Sequence, residues 1–372
     1  MPRRSASASS SDAQCPASWR LYIAAAVARE NQMATIDASP APVTGDPPAV
    51  TSPSAGGPGD RLAHRLNPVF RKGILLATHN RPVASFVRRY GMRLGAGNFV
   101  AGTTLDEAVV NLHRLSGLGL RTNTTILGEA IRDQAAVERV VQSYVGVLDR
   151  IAAEGLNTNL AVKLTQLGLD LDEDTAYTNV EQLVIHAASH GNFVRIDMEE
   201  FGRVDGTLRI YQRLRAAGHV NVGTVLQSYL YRTGADLEGL APLEPNLRLV
   251  KGAYLESPTV SYPKKSEIDA SYLRLAERML AVDSFTAIAT HDERLIDHVI
   301  RYTEANAIPR DRFEFQMLYG IRPALQQELA KRGYRVLVAT PFGPDWYFFY
   351  MRRLAERPAN VLNFARSLFR PS

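Results

Sequence analysis

The sequence has very little cysteine, with Cys15 as the one cysteine in 372 residues. A single cysteine excludes an internal disulfide framework and any zinc or iron–sulfur site built from several cysteines, and it fits a reducing compartment. Apolar runs are short as well, and none approaches the roughly 20 residues of a membrane-spanning helix. We therefore expect a cytoplasmic protein that contacts a membrane, if at all, only peripherally at its inner face.

Concentrated positive charge is also missing. The formal net charge is +5, and the Lys and Arg residues are spread along the chain rather than gathered into runs. Nucleic-acid-binding proteins usually concentrate basic residues on one stretch or one face. Nucleic acid is therefore not an expected partner.

The first 66 residues lack periodic apolar positions and contain the segments "SASASSS" and "SPAPVTGDPPAVTSPSAGGPGD". Such a composition buries too little apolar surface to offset the entropy of ordering the chain, so it predicts a disordered low-complexity tail over residues 1–66. Arg3 and Arg4 ahead of the short apolar run 21–28 faintly resemble a secretion signal. Met33 is a second candidate for the translation start, and the sequence leaves the start at Met1 or Met33 open.

Residues 67–120 predict helices ahead of any strand-like run. One or two short helices are expected over 70–97 and another over 105–115, with the segment "LGAGNFVAG" as a loop between them. The glycines of this loop do not form a phosphate-binding motif, because the sequence contains neither GxGxxG after a strand nor a GK[ST] ending.

From residue 121 onward, short strand-like runs alternate with stretches of helical periodicity such as 134–153 and 207–217. Alternating strands and helices indicate a parallel sheet, and eight such units match a closed barrel better than an open doubly wound sheet. We therefore predict an α/β fold, a (β/α)8 TIM-type barrel over 121–372 with extra N-terminal helices and a final helix lying over the barrel mouth. The predicted strands are residues 124–127, 160–164, 193–198, 222–226, 247–250, 285–289, 313–317 and 334–340.

Polar side chains follow most of the predicted strands at their carboxyl ends, where (β/α)8 enzymes carry their active sites. One polar strand end more often completes a hydrogen bond than catalyses a reaction, but seven in register favour a site. Several cations in this set suit an anionic ligand or a phosphate-bearing cofactor. His291 has no partner at ligand spacing, so no catalytic metal is expected. The strand-end residues are Glu129, Lys163, Asp197, Glu199, Gln227, Lys251, Tyr254, Thr290, His291, Asp292 and Gln316, and the further cations are Arg248, Arg352 and Arg353.

The last predicted helix, over residues 346–360, has aromatic and aliphatic residues at helical spacing and a proline, Pro358, that marks its end. Arg352 and Glu356 are four residues apart and can pair, which would leave Arg353 free to bind a carboxylate as a planar fork of donors. The alternative is a core helix with a solvated basic corner.

Seven blocks of sequence, in the same order, resemble the proline dehydrogenase family, the flavin enzymes of proline catabolism, in its monofunctional bacterial form. The resemblance extends over about three quarters of the chain. The blocks are "VKLTQLGLDLDED" from Val162, "RIDMEE" from Arg195, "TLRIYQRL" from Thr207, "RLVKGAY" from Arg248, "ATHD" from Ala289, "FEFQMLYGIRP" from Phe313 and "RRLAERPAN" from Arg352.

The resemblance implies oxidation of L-proline to 1-pyrroline-5-carboxylate by hydride transfer to FAD, with a quinone-type electron acceptor and a 1-pyrroline-5-carboxylate dehydrogenase as the expected partner enzyme. It implies that Arg352 and Arg353 bind the substrate carboxylate above Lys163, and that Asp197 orients or neutralises these cations or, as the weaker alternative, carries a proton. Tyr254 and Leu318 would line the substrate pocket. Non-covalent FAD would contact Gln227, Arg248 (near the flavin N5), Lys251, Gly252, Ala253, Thr290, His291 and Glu356.

Three positions depart from the family pattern. An acidic residue is expected where Thr125 stands, an arginine near Leu337, and a tyrosine at Ala339, where its ring would pack on the substrate. Either Phe342 or Tyr350 refills the space beside Ala339, or the substrate is hydroxyproline or another cyclic amino acid larger than proline. Outside this family, a barrel that has lost catalysis would be a binding protein, and a metal-dependent hydrolase is a further alternative.

Overall fold

The computed structural model describes residues 80–92, 95–128, 130–282 and 284–356, with only the backbone described for Arg81, Val83, Phe86, Arg352, Leu354, Ala355 and Glu356. Eight parallel strands close into a barrel in chain order, with β1 paired to both β2 and β8. The predicted (β/α)8 barrel is confirmed. The strands are β1 (Arg121–Ile126), β2 (Thr158–Val162), β3 (Val194–Ile196), β4 (Val222–Gln227), β5 (Leu247–Val250), β6 (Thr286–Ala289), β7 (Phe313–Leu318) and β8 (Val336–Phe342).

Alternate residues of each strand face the surrounding helices or the barrel interior. Leu160, Leu249 and Val338 are fully buried in the main hydrophobic core between the barrel and its helices. Arg248 and Ala339 are the next residues to Leu249 and Val338, so their side chains lie on the opposite face, toward the interior. Because side chains alternate between the two faces of a strand, the cation Arg248 and the small residue Ala339 point into the barrel.

Seven helices follow strands β1 to β7 and cover the outside of the barrel. Their starts are fixed by caps in several cases: Asp133 accepts a 2.8 Å hydrogen bond from the Ala136 amide, and Asp172 accepts one of 2.8 Å from the Thr175 amide. These seven helices are α3 (Gln134–Ala153), α4 (Glu173–Ser189), α5 (Val204–Ala216), α6 (Thr233–Leu240), α7 (Lys265–Leu280), α8 (Glu293–Ala305) and α9 (Pro323–Lys331). Helices α1 (Arg81–Tyr90) and α2 (Leu105–Ser116) precede β1, and α10 (Trp346–Glu356) follows β8.

Helix α10 follows β8 but does not take the outer position beside it. Helix α2 packs against both β1 and β8, which is where the helix after β8 packs in a regular barrel. Helix α10 instead packs against α1, and Trp346 and Tyr350 are buried with Val87 in a second hydrophobic cluster. The last helix therefore stays on the carboxyl-end side of the barrel, as predicted.

The predicted tail over residues 1–66 and the helix end at Pro358 lie outside the described residues. Within the described ranges, no helix combines the length and apolar character needed to cross a membrane.

Candidate active site

Three charged side chains from strands β2, β3 and β5 meet at the barrel mouth. Asp197 follows β3 directly, and its Oδ1 accepts a 2.8 Å hydrogen bond from Nη1 of Arg248 on β5. Its Oδ2 lies 3.7 Å from Nζ of Lys163, which follows β2. One carboxylate thus lies between two cations, the pairing expected when polar strand ends share one rim of a parallel sheet.

Arg248 has two nitrogens that donate no hydrogen bond within the described part of the chain. Its side chain is only 10% exposed, and among the described residues Nε and Nη2 have no hydrogen-bond partner. A buried donor without an acceptor is costly, so this pair of donors suits a ligand that offers one.

Gln227, at the end of the adjacent strand β4, also has a buried polar atom that lacks a hydrogen-bond partner among the described residues. Its Nε2 donates a 3.1 Å hydrogen bond to the carbonyl of Glu199. Its buried Oε1 has no donor within the described part of the chain. Arg248 and Gln227 therefore offer two unused donors and one unused acceptor on neighbouring strands, a donor set that fits a polar ring such as a flavin.

Arg195 on β3 adds positive charge deeper in the barrel. It is buried and donates hydrogen bonds of 2.9 Å and 2.8 Å to the carbonyls of Thr224 and Asn246. Burial, followed by the charge of Arg248, lowers the pKa of Arg195 to about 9, so it stays cationic at neutral pH. A second cation behind Arg248 strengthens the preference of this region for negative charge.

The chain turns sharply after β5 at Gly252. Its φ of +117° lies in the region that favours glycine, and a Cβ there would lie 2.3 Å from the Tyr229 ring. Only glycine fits this conformation and this contact. The stretch from Lys251 to Ala253 consequently runs close over the aromatic ring at the rim of the barrel.

Lys251 belongs to a compact network of charges between β5, α7 and α8. Its Nζ lies 2.5 Å from Oδ1 of Asp269 and 3.2 Å from Oδ2 of Asp292. Lys265 contacts both carboxylates, and Arg294 lies 3.1 Å from Asp292. The charge of Lys251 is therefore largely matched by carboxylates of the protein itself.

Both carboxylates of this network are held ionised. The hydrogen bond from Arg294, and then that from Lys251, outweigh burial and lower the pKa of Asp292 well below its usual range. For Asp269, burial acts to raise the pKa, but hydrogen bonds from Lys251 and Lys265 outweigh it and lower the pKa.

His291, which follows β6, connects two strand ends. Its Nε2 accepts a 2.8 Å hydrogen bond from the amide of Leu318 at the end of β7. A backbone amide can only donate, so the neutral imidazole carries its hydrogen on Nδ1. Next to it, Oγ1 of Thr290 accepts a 3.1 Å hydrogen bond from the Asp292 amide. Both residues brace the rim where the sequence predicted cofactor contacts.

A family model described as Proline dehydrogenase matches residues 108–366. The chain belongs to the proline dehydrogenase family. It is 41% identical over 293 residues to proline dehydrogenase 1 of Bacillus subtilis (strain 168), covering 79% of this chain and 97% of the relative. It is 40% identical over 300 residues to the proline dehydrogenase of Deinococcus radiodurans, covering 80% and 96% of the two chains.

A solved structure shares the fold. Proline utilization A from Bdellovibrio bacteriovorus, inactivated by N-propargylglycine, superposes with a TM-score of 0.69 at 23% identity. The match covers 79% of this chain and 36% of that protein. The (β/α)8 barrel is therefore common to both.

Ala339 stands where the pattern of the proline dehydrogenase family leads us to expect a tyrosine. It lies in β8 between Leu318 of β7 and Asn123 of β1. Phe342 is three residues further along the strand, so its side chain lies on the opposite face, and it packs in the main core. Tyr350 packs 6.2 Å from Phe99 in the second cluster. The two aromatic side chains that the sequence offered to fill the space beside Ala339 therefore pack in hydrophobic clusters instead.

Leu337 and Thr125 are the other two positions that depart from the family pattern. Leu337, where an arginine was expected, is buried in β8. Thr125 lies at the end of β1, and its Oγ1 is 3.3 Å from the hydroxyl of Tyr144 on α3. A neutral hydrogen-bonded pair therefore stands where the family pattern leads us to expect an acidic side chain.

The arginine pair of α10 is only partly described. The guanidinium carbon of Arg353 lies 5.3 Å from the centre of the Phe349 ring, and this cation–π contact orients the side chain. The side chains of Arg352 and Glu356 lie outside the description. Tyr254 is 37% exposed in the loop after β5. The structure thus brings Lys163, Asp197 and Arg248 into contact and places Arg353 and Tyr254 on elements that follow β8 and β5.

Sequence reasoning missed Asp269, which neutralises Lys251. It lies on a helix rather than at a strand end, so the pattern of polar strand ends does not include it. The one available signal was the spacing of four residues between Lys265 and Asp269, which predicts a pair on one helix face. The sequence also placed Gln316 at a strand end, but it lies within β7 and donates a 2.6 Å hydrogen bond to Glu314.

Proposed function

We propose that this chain is an FAD-dependent enzyme that oxidises L-proline to 1-pyrroline-5-carboxylate, the first step of proline catabolism to glutamate. Membership of the proline dehydrogenase family supports the reaction. The observation that carries the proposal is Arg248, whose Nη1 is held by Asp197 while Nε and Nη2 are buried without partners in the described ranges. This donor set at the barrel mouth fits an electron-accepting ring.

The residues assigned to FAD surround that point. FAD, when bound non-covalently across the barrel mouth, supplies a hydride acceptor. Arg248 is assigned to the flavin N5, where a cation stabilises negative charge, and Gln227 offers its Oε1 to an N–H group. The remaining assignments are Lys251, Gly252, Ala253, Thr290, His291 and Glu356.

The substrate carboxylate is assigned to Arg352 and Arg353, with Lys163 as a third cation. Planar guanidinium groups bind a carboxylate with two parallel hydrogen bonds. Stacking on Phe349 restricts the Arg353 side chain, which lowers the entropy that binding must remove. Tyr254, Leu318 and Ala339 are assigned to the wall of the pocket around the substrate ring.

Asp197 is assigned a positioning role. Its carboxylate contacts Arg248 and Lys163, one from the cofactor set and one from the substrate set. It can therefore fix the distance between the two sets and reduce repulsion between their charges. With both oxygens close to cations, it is better placed to orient these groups than to carry a proton.

We assign residues 1–66 to a disordered tail, 67–120 to N-terminal helices, and 121–372 to the catalytic barrel in a cytoplasmic protein with at most peripheral membrane contact. A two-electron flavin reduction needs reoxidation, which a quinone-type acceptor provides. The product imine is a suitable substrate for a 1-pyrroline-5-carboxylate dehydrogenase.

A second candidate substrate is hydroxyproline or another cyclic amino acid larger than proline. One specific observation favours it, namely the small Ala339 together with the commitment of Phe342 and Tyr350 to hydrophobic cores. Space beside the substrate ring accommodates a hydroxyl group or an extra methylene.

The proposal is tested by measuring flavin content and then kcat/KM for proline, hydroxyproline and pipecolate with a dye acceptor. Stoichiometric FAD with turnover of proline supports it, and a higher kcat/KM for hydroxyproline or pipecolate selects the second candidate. Protein that contains no flavin, and acquires none from added FAD, would favour a binding protein. Loss of activity in chelator would favour a metal-dependent enzyme.

A further inference from the structure

Two histidines and one aspartate converge on the outside of the barrel. His186 in α4 and His190, which ends that helix, are four residues apart on the same helix face. Their Nε2 atoms lie 2.6 Å and 3.1 Å from the same oxygen, Oδ1 of Asp149 on α3. Within the described residues, this is the one group of three side chains whose potential ligand atoms all lie within 4.8 Å of one another.

We propose that Asp149, His186 and His190 bind one divalent transition-metal ion of the Zn²⁺ class, which links α3 to α4. Two imidazole nitrogens and a carboxylate oxygen are ligands that zinc prefers, and water completes a tetrahedral site. Histidines at positions i and i+4 of a helix present two nitrogens to one ion, the spacing used in helical zinc sites.

The two distances between the aspartate and the histidines require only a small adjustment. Zinc binds imidazole nitrogen at about 2.0–2.1 Å, so tetrahedral ligand atoms are about 3.3 Å apart. The present separations from Asp149 Oδ1 are slightly shorter, and a small rotation of that side chain would open them. The Asp149 side chain is 54% exposed and the two imidazoles are 31% and 30% exposed, so the site is open to solvent on one side.

Both histidines already hydrogen-bond to the same carboxylate oxygen, Oδ1 of Asp149. In the absence of metal, both imidazoles compete for one oxygen atom, and their rings lie 5.0 Å apart edge to face. A metal ion coordinated by one atom of each of the three side chains would remove this competition.

Ordinary histidine–carboxylate pairs elsewhere in the chain lack the second imidazole. His298 lies 2.6 Å from Glu277, and His219 lies 3.1 Å from Glu181. Each pair offers two ligands, which is too few for a stable zinc site. They supply matched controls with the same chemistry and similar exposure.

The site lies away from the mouth. Asp149 and His186 are near the carboxyl ends of α3 and α4, and the helices of a (β/α)8 barrel run back from the mouth toward the opposite rim. Metal binding is therefore expected to stabilise the pair of helices without entering the redox chemistry.

The test uses full-length, flavin-loaded protein without a histidine tag, stripped with chelator and titrated with Zn²⁺ by calorimetry. We expect one equivalent to bind with a rise in Tm. His186→Gln or His190→Gln should weaken binding at least about tenfold, since loss of even an outer-shell partner costs about 10- to 100-fold, and His298→Gln should match the wild type.

Co²⁺ provides a second readout, because a tetrahedral site gives it a visible absorption band that should be absent in the double variant His186→Gln/His190→Gln. Equal Zn²⁺ affinity in wild type and double variant, or no stoichiometric binding by wild type, would overturn the proposal. None of these readouts depends on oxidation of proline.

Discussion

Nη1 of Arg248 donates a 2.8 Å hydrogen bond to Oδ1 of Asp197, across the mouth from β5 to β3. This contact fixes the guanidinium while two of its nitrogens remain without partners in the described ranges. The same carboxylate lies 3.7 Å from Lys163. Asp197 therefore couples the group assigned to the cofactor to one assigned to the substrate.

Asp197→Asn keeps the shape of this side chain and removes its charge. A hydrogen bond to a charged group contributes about 1.5–3 kcal/mol, and partial exposure of Asp197 reduces this, so we expect the free energy of unfolding to fall by about 1–2 kcal/mol. Thermal unfolding and FAD affinity measure the effect, and both should decrease. Asp205→Asn, at an exposed ion pair with Arg232, is the control. Wild-type stability and FAD affinity in Asp197→Asn would contradict this role.

Arg352→Ala and Arg353→Ala should mainly weaken binding of the substrate carboxylate. Loss of a charge-assisted contact costs about 1.5–3 kcal/mol, equivalent to a rise in KM of roughly ten- to a hundred-fold. Flavin content should stay normal, and Arg332→Ala, at the end of α9, should leave KM unchanged. If both α10 variants bind substrate normally, the helix is only structural.

Ala339→Tyr should restore an aromatic wall beside the substrate ring. We expect tighter binding of proline and slower turnover of hydroxyproline and pipecolate, with discrimination of about 1–3 kcal/mol per methylene. The kcat/KM ratio between substrates is the measurement, and Ala339→Ser is a small-residue control. A tyrosine variant that is worse with every substrate, in an enzyme that already prefers proline strongly, would mean that the space is not available to the substrate.

Asp292→Asn should destabilise the protein in a pH-dependent way. The pKa of Asp292 is lower in the folded state than in the unfolded chain, so its contribution is present above the unfolded value of about 3.9 and is lost as the pH falls through the folded value. The deficit in Tm relative to wild type should be largest near neutral pH and shrink below about pH 4. Asp297→Asn, exposed on α8, is the control. An equal deficit at all pH values would rule out a charge effect.

The sequence located all eight strands but misplaced the ends of some. Strand β1 begins at Arg121 rather than 124, because Thr122 and Thr124 are polar yet buried, and Thr122 shares a 2.6 Å hydrogen bond with Thr158. Strand β8 continues through Pro341, where a search for apolar runs stops. Apolar patterns identify the strand residues that face a hydrophobic core. They do not identify strand residues whose buried side chains are polar and hydrogen-bond to other buried polar groups.

The site was predictable where it depends on strand ends. The sequence placed Lys163, Asp197 and Arg248 on one face because the carboxyl ends of all strands of a parallel barrel share one rim, and in the structure Asp197 contacts both cations. Asp269 was not predictable from that rule, because it reaches Lys251 from a helix. The position of Arg353 over Phe349, by contrast, follows from the spacing of four residues along one helix.

The most direct test of the account is to add L-proline, without oxygen or dye, to the purified flavin-loaded enzyme and record the flavin absorbance. We predict that proline bleaches the flavin band, and that Arg248→Ala, which removes the cation assigned to N5, slows the bleaching strongly. Full bleaching in wild type that returns when a quinone is added would support every step proposed for the site. Protein that carries FAD but keeps an unchanged spectrum with proline, hydroxyproline and pipecolate would contradict the proposed activity.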